Sequence, residues 1–306
     1  MAEHFLVSVD LDTLQSTQGL DLKTIAYLNR VHTTVTPQNY DAATSFLQKH
    51  FNDFTTYCDV TALESLPDIV SLLDSGAAKV VVQLWQLNAV VEDGLLEKEI
   101  LGRLIVSFDH SACLGDPAKT VKGIQNDIQT AVKDEPVGIQ IHDVHDWQLL
   151  DMMHEYAKLP GGYPSRYVTL AYNTLDNYIK AVKDGHVPIV PAEALTTDSQ
   201  KYPHLLPAQL LITSAIHSDR PDGLYPTVVT NEHGVCLGLV YSNEKSVEVA
   251  LQSGRGVYHS RSRNGLWVKG AESGDTQDLI SIGWDCDADA LQFTVRQKGD
   301  GNSHYP

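Results

Sequence analysis

The 306-residue sequence predicts an α/β protein in two parts: a degenerate (β/α)8-barrel-like domain over residues 1–210 and a small α+β domain over 218–306. Three observations predict it. Between Phe5 and Ala192, eight β-rich runs alternate with stretches of helical periodicity, and that alternation implies parallel strands joined by helical crossovers. Residues 193–217, EALTTDSQKYPHLLPAQLLITSAIH, interrupt the pattern and read as a linker with an edge element. From Ser218 the order changes to strand, turn, strand, helix and further strands, which suits an α+β module.

The predicted barrel strands are FLVSVD (5–10), VHTTV (31–35), TTYCDV (55–60), AKVVVQ (78–83), RLIVSFD (103–109), VGIQIHDV (137–144), RYVTLAY (166–172) and VPIVPA (187–192). β-branched and aromatic side chains dominate them, as strands require. The clearest intervening helix is ESLPDIVSLLDSG, where Leu66, Ile69, Val70, Leu72 and Leu73 stripe one face before Gly76 ends it. Eight strand-helix units are what a closed barrel needs, although about 190 residues is compact for one. An open doubly wound sheet satisfies the same alternation. In the second part, TVVTNEHGVCLGLVY reads as a hairpin turning at Glu232-His233-Gly234. NEKSVEVALQSG reads as a helix with Asn243 as N-cap and Gly254 past its end. Strands follow in GVYHSRSR, GLWVKG and LISIGWDCD.

Composition narrows the partners. Hydrophobic content of 42% with 20% charged residues suits a chain folded throughout. The 39 acids against 22 bases give a net charge of −17, which argues against nucleic acid and anionic membrane as partners. Any anionic ligand then needs a local basic cluster. No run approaches the roughly 18 apolar residues that cross a bilayer. The opening MAEHFLVSVDLD carries acids where a secretory signal carries bases, so a cytoplasmic location is expected. Cys58, Cys113, Cys236 and Cys286 lack paired spacing and read as free thiols, with Cys286 set apart by its neighbours.

Four segments carry chemistry. Asp10 and Asp109 end the first and fifth predicted strands, where a barrel places catalytic groups, and read either as an acid–base pair or as solvated rim acids on a scaffold. Between 255 and 269, Arg255, Arg261, Arg263 and Lys269 are interleaved with Tyr258, His259, Ser260, Ser262 and Trp267. Arginine forks beside aromatic rings suit a phosphorylated, ribonucleotide-like small molecule; a solvated strand face is the alternative. Ser273 and Gly274 are small enough to let backbone amides approach a phosphate. In DCDAD, Asp285, Asp287 and Asp289 alternate, so on a strand they share one face and Cys286 takes the other. Three carboxylates suit Mg²⁺ and a thiolate suits Zn²⁺, while an acidic turn is the plainer reading.

Two resemblances follow from these residues. VSVD, ESLPDIVSLLDSGAAKVVVQ and LIVSFD resemble the phosphoribosyl-binding barrels of histidine biosynthesis, except that DVTALES stands where those barrels carry a glycine run. The stretch from about 219 to 301, with SRSR, LW-x-KG, SG-x-x-Q and DCDxDAL in order, resembles phosphoribosyl-AMP cyclohydrolase as found near the front of the fungal multifunctional histidine-biosynthesis proteins. That resemblance implies a hydrolase that opens the adenine ring of an N1-phosphoribosylated nucleotide, working as a homodimer. It implies Mg²⁺ on Asp285, Asp287 and Asp289, Zn²⁺ on Cys286, and ligand binding by Arg261, Ser262, Arg263 and Lys269, with Trp267, Ser273 and Gly274 alongside. Family members need two further zinc cysteines. Ser303 stands at the first position, and the sequence reaches Pro306 before the second, so His259, His304 or waters are left to complete a weakened site. A divergent paralogue that has lost zinc catalysis but keeps the pocket is the alternative expectation, and a truncated or mis-spliced copy a third.

Overall fold

The structure is a computed structural model that describes residues 4–11, 20–64, 69–92, 98–109, 117–132, 137–145, 147–157, 165–285 and 287–299. The chain divides into two compact units. The barrel unit comprises Phe5–Gln15 and Arg30–Pro191, and the C-terminal unit comprises Ala192–Pro306 with Met1–His4 and Ser16–Asn29.

The barrel strands are β1 (Leu6–Ser8), β2 (Arg30–Thr34), β3 (Thr55–Asp59), β4 (Ala77–Gln83), β5 (Leu104–Asp109), β6 (Gly138–Val144), β7 (Arg166–Leu170) and β8 (Val187–Pro191). Each strand end falls within two residues of the run that predicted it. They pair in parallel in sequence order, and Leu6, Val7 and Ser8 pair with Ile189, Val190 and Pro191 to close the barrel. Closure excludes the open sheet. Leu6, Tyr57, Val81, Ile105, Tyr167, Val187 and Ile189 fill the interior as one buried cluster. Each such side chain is worth roughly 1.5–3 kcal/mol when fully withdrawn from water. The Tyr167 hydroxyl inside that cluster is met by Lys79 Nζ at 2.9 Å, so burial does not leave it unpaired.

The helices of the barrel unit are α2 (Tyr40–His50), α3 (Ile69–Asp74), α4 (Leu84–Glu92), α5 (Lys98–Leu101), α6 (Pro117–Val132), α7 (Trp147–Ala157) and α8 (Leu175–Lys183). The C-terminal unit holds α1 (Leu22–Leu28), α9 (Ala208–Ser214) and α10 (Glu244–Ser253), together with the short β9 (Leu195–Thr196) and β10 (Leu206–Pro207) and with β11 (Tyr225–Asn231), β12 (Cys236–Ser242), β13 (Val257–Ser260), β14 (Gly265–Val268), β15 (Gln277–Trp284) and β16 (Leu291–Gln297). Its four-stranded sheet runs β12-β11-β16-β15, with β11 and β16 parallel at the centre and the other pairs antiparallel. β13 and β14 form a separate hairpin. Asn243 caps α10 through Ser246 N at 2.9 Å, and Gly254 ends it at φ +64, both as the sequence predicts. Gly254 is also required by close approach, because a Cβ there would lie 2.3 Å from the Tyr27 hydroxyl on α1.

The division between the two units lies at 191/192. Leu211 and Ile212, in the stretch read as a linker, are fully buried in α9, and Ile212 O accepts from Trp284 Nε1 at 3.0 Å. Two expectations are corrected. The strand read through GVYHSRSR stops at Ser260, and residues 261–264 form the hairpin turn, with Asn264 at φ +43. The strand read through LISIGWDCD stops at Trp284. Among the described residues, no helix is long and apolar enough to cross a membrane.

Candidate functional site

β12 and the β13–β14 hairpin enclose a cavity of about 450 Å³ lined by Leu239, Val240, Tyr241, His259, Ser260, Arg261, Ser262 and Trp267. The alternation along β12 puts Leu239 and Tyr241 on one strand face. The hairpin turn places Arg261 with its Cζ 4.1 Å from the Tyr241 ring centroid, and Arg220 stacks on the same ring at 4.5 Å. Arg220 is itself fixed by a forked pair to Asp222 at 2.9 and 2.6 Å. Two guanidinium groups on one tyrosine make a cationic wall that is held by stacking and leaves Arg261 donors available to oxyanions.

His259 is oriented from behind. Asn243 Oδ1 accepts the Ser246 amide, which turns its Nδ2 toward His259 Nδ1 at 3.1 Å. An amide N–H can only donate, so His259 Nδ1 accepts and the neutral ring carries its proton on Nε2. The helix cap and the site histidine thus share one side chain. Ser260 Oγ lies 3.3 Å from Ser262 Oγ and accepts from the Arg263 amide at 3.4 Å, which ties down the turn.

The acidic segment folds differently from its prediction. Asp285, Asp287 and Asp289 do come together, with ligand oxygens within 4.8 Å of one another, but through a loop rather than strand alternation. Asp285 Oδ1 accepts from the amides of Asp289 at 3.1 Å and Ala290 at 3.3 Å, while Ala288 takes φ +59 and its carbonyl accepts from His217 N at 2.8 Å. Burial would raise the Asp285 pKa, but hydrogen bonds from Asp289 and the Ala290 amide prevail and lower it. The Asp289 carboxyl is raised, first by its hydrogen bond to Asp285 and then by the charges of Asp285 and Asp287. Carboxylates that must share a proton at close range form the oxygen-rich setting a hard divalent cation relieves. The charge of Asp219 adds to the same shift.

The other sequence candidates are placed as follows. Lys269 is buried, its ammonium pulled down by burial and back up by Asp275, with Nζ 5.7 Å from the Trp267 ring centroid. Arg263 is exposed and 3.7 Å from Glu272. Ser273 and Gly274 lie in an exposed turn outside the cavity lining, where Ser273 Oγ accepts from the Asp275 amide at 3.3 Å. Cys286, Ser303 and His304 lie outside the described residues. Sequence reasoning did not single out Arg220 or Tyr241, and it read Asn243 as a helix cap without its contact to His259. Only Tyr241 carried a usable signal, its position two residues from Leu239 on a strand beside the basic hairpin. In the barrel, Asp10 and Asp109 are exposed at their strand ends.

The cavity brings together a guanidinium stacked on Tyr241, an oriented imidazole and an indole, a lining of cationic and aromatic groups. A family profile described as phosphoribosyl-AMP cyclohydrolase matches residues 238–305. Over 298 residues, 96% of this chain, the sequence is 31% identical to the histidine biosynthesis bifunctional protein his7 of Schizosaccharomyces pombe, with 68% of that relative covered. It is 38% identical over 282 residues, 92% of this chain, to the histidine biosynthesis trifunctional protein of Neurospora crassa, with 30% of that relative covered. The phosphoribosyl-AMP cyclohydrolase of Citrifermentans bemidjiense is 40% identical over 90 residues, 29% of this chain and 72% of that protein. The chain belongs to the family of fungal multifunctional histidine-biosynthesis proteins that carry a phosphoribosyl-AMP cyclohydrolase domain. It spans under a third of the Neurospora relative and about two thirds of the Schizosaccharomyces one.

Proposed function

We propose that the C-terminal unit catalyses the phosphoribosyl-AMP cyclohydrolase reaction, hydrolytic opening of the adenine ring in an N1-phosphoribosylated nucleotide. The single observation that carries this reading is the 450 Å³ cavity, whose lining residues 239–241, 259–262 and 267 all fall inside the family-matched segment 238–305. Arg261 binds the phosphate as a charge-assisted fork, with Tyr241 and Arg220 holding its plane. Trp267 packs on the ring. Hydrolysis adds a water oxygen to the amidine carbon and breaks that carbon's bond to the ribosylated nitrogen, which leaves with a proton. His259, with Nε2–H as its donor, polarises the reacting group by a hydrogen bond in that step rather than acting as base.

The carboxylate trio fits Mg²⁺, whose charge would counter developing negative charge beside the phosphate. Zinc is a poorer fit. Ser303 offers a neutral hydroxyl at the position where the family resemblance calls for a thiolate. A homodimer in the cytoplasm completes the proposal. The test is incubation of the full chain with phosphoribosyl-AMP and Mg²⁺, following ring opening by absorbance and the gain of one water by mass. Binding without turnover would move the protein to the paralogue reading; absence of binding would remove both.

A further inference from the structure

We propose that the C-terminal mouth of the barrel is a second ligand site, built for a small planar organic cation with N–H donors, and that His32, Asp59, Gln140 and His142 form its floor. These four side chains come from β2, β3 and β6. Asp59 is 2% exposed; its Oδ2 lies 3.5 Å from His32 Nε2 and 3.6 Å from His142 Nε2 and accepts from Gln140 Nε2 at 3.0 Å. Its Oδ1 accepts from the Thr61 amide at 3.0 Å and from the Thr61 hydroxyl. Asp59 is therefore fully engaged. Its neighbours are not: His32 Nδ1, on a residue 3% exposed, and Gln140 Oε1, on a residue with no exposed surface, have no partner. Buried polar atoms without partners are rare and call for an explanation.

The floor opens outward through His142, whose side chain is 32% exposed and lines a cleft of about 520 Å³ with Thr61, Gln83, Trp85, Ser107, Phe108 and Asp109. β6 bulges here. Its register shifts between Ile141 and Val144, and Asp143 sits at φ +55, a device that redirects a side chain at the rim of a barrel. Trp85 is 44% exposed, with Nε1 donating to Gln83 Oε1 at 2.5 Å, so its ring face is held beside the cleft.

Charge selects the ligand. The residues that line the cleft include the carboxylate of Asp109 and no lysine or arginine. A phosphate would meet no counter-charge there, whereas a flat cation finds Asp109 for its N–H groups and Trp85 for its face.

The experiment titrates the full chain with benzamidinium and with benzoate, the same flat ring carrying opposite charge, by calorimetry. Benzamidinium is expected to bind saturably and at least roughly tenfold more tightly than benzoate. Asp109→Asn and His142→Gln, both at the open side of the site, should each weaken it by about tenfold or more with the melting temperature kept. Equal binding of the two probes, no saturable binding of benzamidinium, or affinity that survives both substitutions overturns the proposal.

Discussion

In the C-terminal unit, Arg220 and Arg261 stack on Tyr241 to build a local positive wall; in the barrel unit, Asp109 and His142 line a cleft whose lining holds no lysine or arginine. A net charge of −17 describes neither place. The resemblance of the barrel to phosphoribosyl-binding barrels invites a phosphate reading, yet here the residues suited to phosphate sit on a small hairpin, and the barrel offers a carboxylate flanked by imidazoles. The difference teaches that ligand charge must be read from the side chains a topology gathers, not from fold or composition.

The strongest way to break this comparison is to remove the carboxylates of the acidic loop. Asp287→Asn combined with Asp289→Asn should abolish saturable Mg²⁺ binding by calorimetry while the melting temperature holds or rises, because repulsion is relieved. Unchanged Mg²⁺ affinity would leave only an acidic turn. Arg261→Ala should cost about 1.5–3 kcal/mol of nucleotide binding, roughly 10- to 150-fold in Kd, with benzamidinium binding at the barrel untouched. A loss at both sites would show that the two pockets are coupled.

Acid should separate the two regions next. Burial alone would raise the Asp59 carboxyl, but hydrogen bonding and charge from His32, with Thr61 and His142, bring it from 3.8 down to about 2. Its folded value is depressed, so its contribution is present above pH 3.8 and is lost as pH falls toward 2; at about 1.4 kcal/mol per unit that is roughly 2 kcal/mol. His142, pushed down chiefly by burial, acts in the same direction below its ordinary 6.5. Urea midpoints at pH 6 and pH 2.5 should show this slope in the native chain and a shallower one in Asp59→Asn. The smallest effect sharpens the C-terminal site. Asn243→Asp keeps a good N-cap but cannot donate to His259, so ring-opening kcat/KM should fall while the melting temperature stays; Asn243→Ala should lose about 1 kcal/mol of stability as well.

Much of the fold was legible because its signals are local. Eight runs of β-branched residues with helical stretches between them gave every barrel strand, and Asn243 and Gly254 marked both ends of α10, since capping and periodicity are properties of a few consecutive residues. β16 escaped notice, as did the role of α1, whose packing against β15 and beneath Gly254 joins chain positions over 200 residues apart. The candidate site was half legible. The SRSR hairpin and the DCDAD loop announced themselves by composition, but the partners that orient Arg261 and His259 lie on β12 and at the α10 cap, with no motif of their own.

The sequence by itself determined the order and kind of the elements, the presence of a basic aromatic hairpin and the proximity of three aspartates along the chain. Tertiary structure alone decided that β1 closes on β8, that the aspartates meet around a left-handed Ala288 rather than along a strand, and that Tyr241 lies between two guanidinium groups. It also decided that His32, Asp59 and His142 meet inside the barrel, 27 and 83 residues apart in sequence. The physical reason is one of range. Propensity, caps and periodicity act over a few residues, whereas a buried carboxylate between two imidazoles exists only once strand pairing has brought distant positions within a few ångströms.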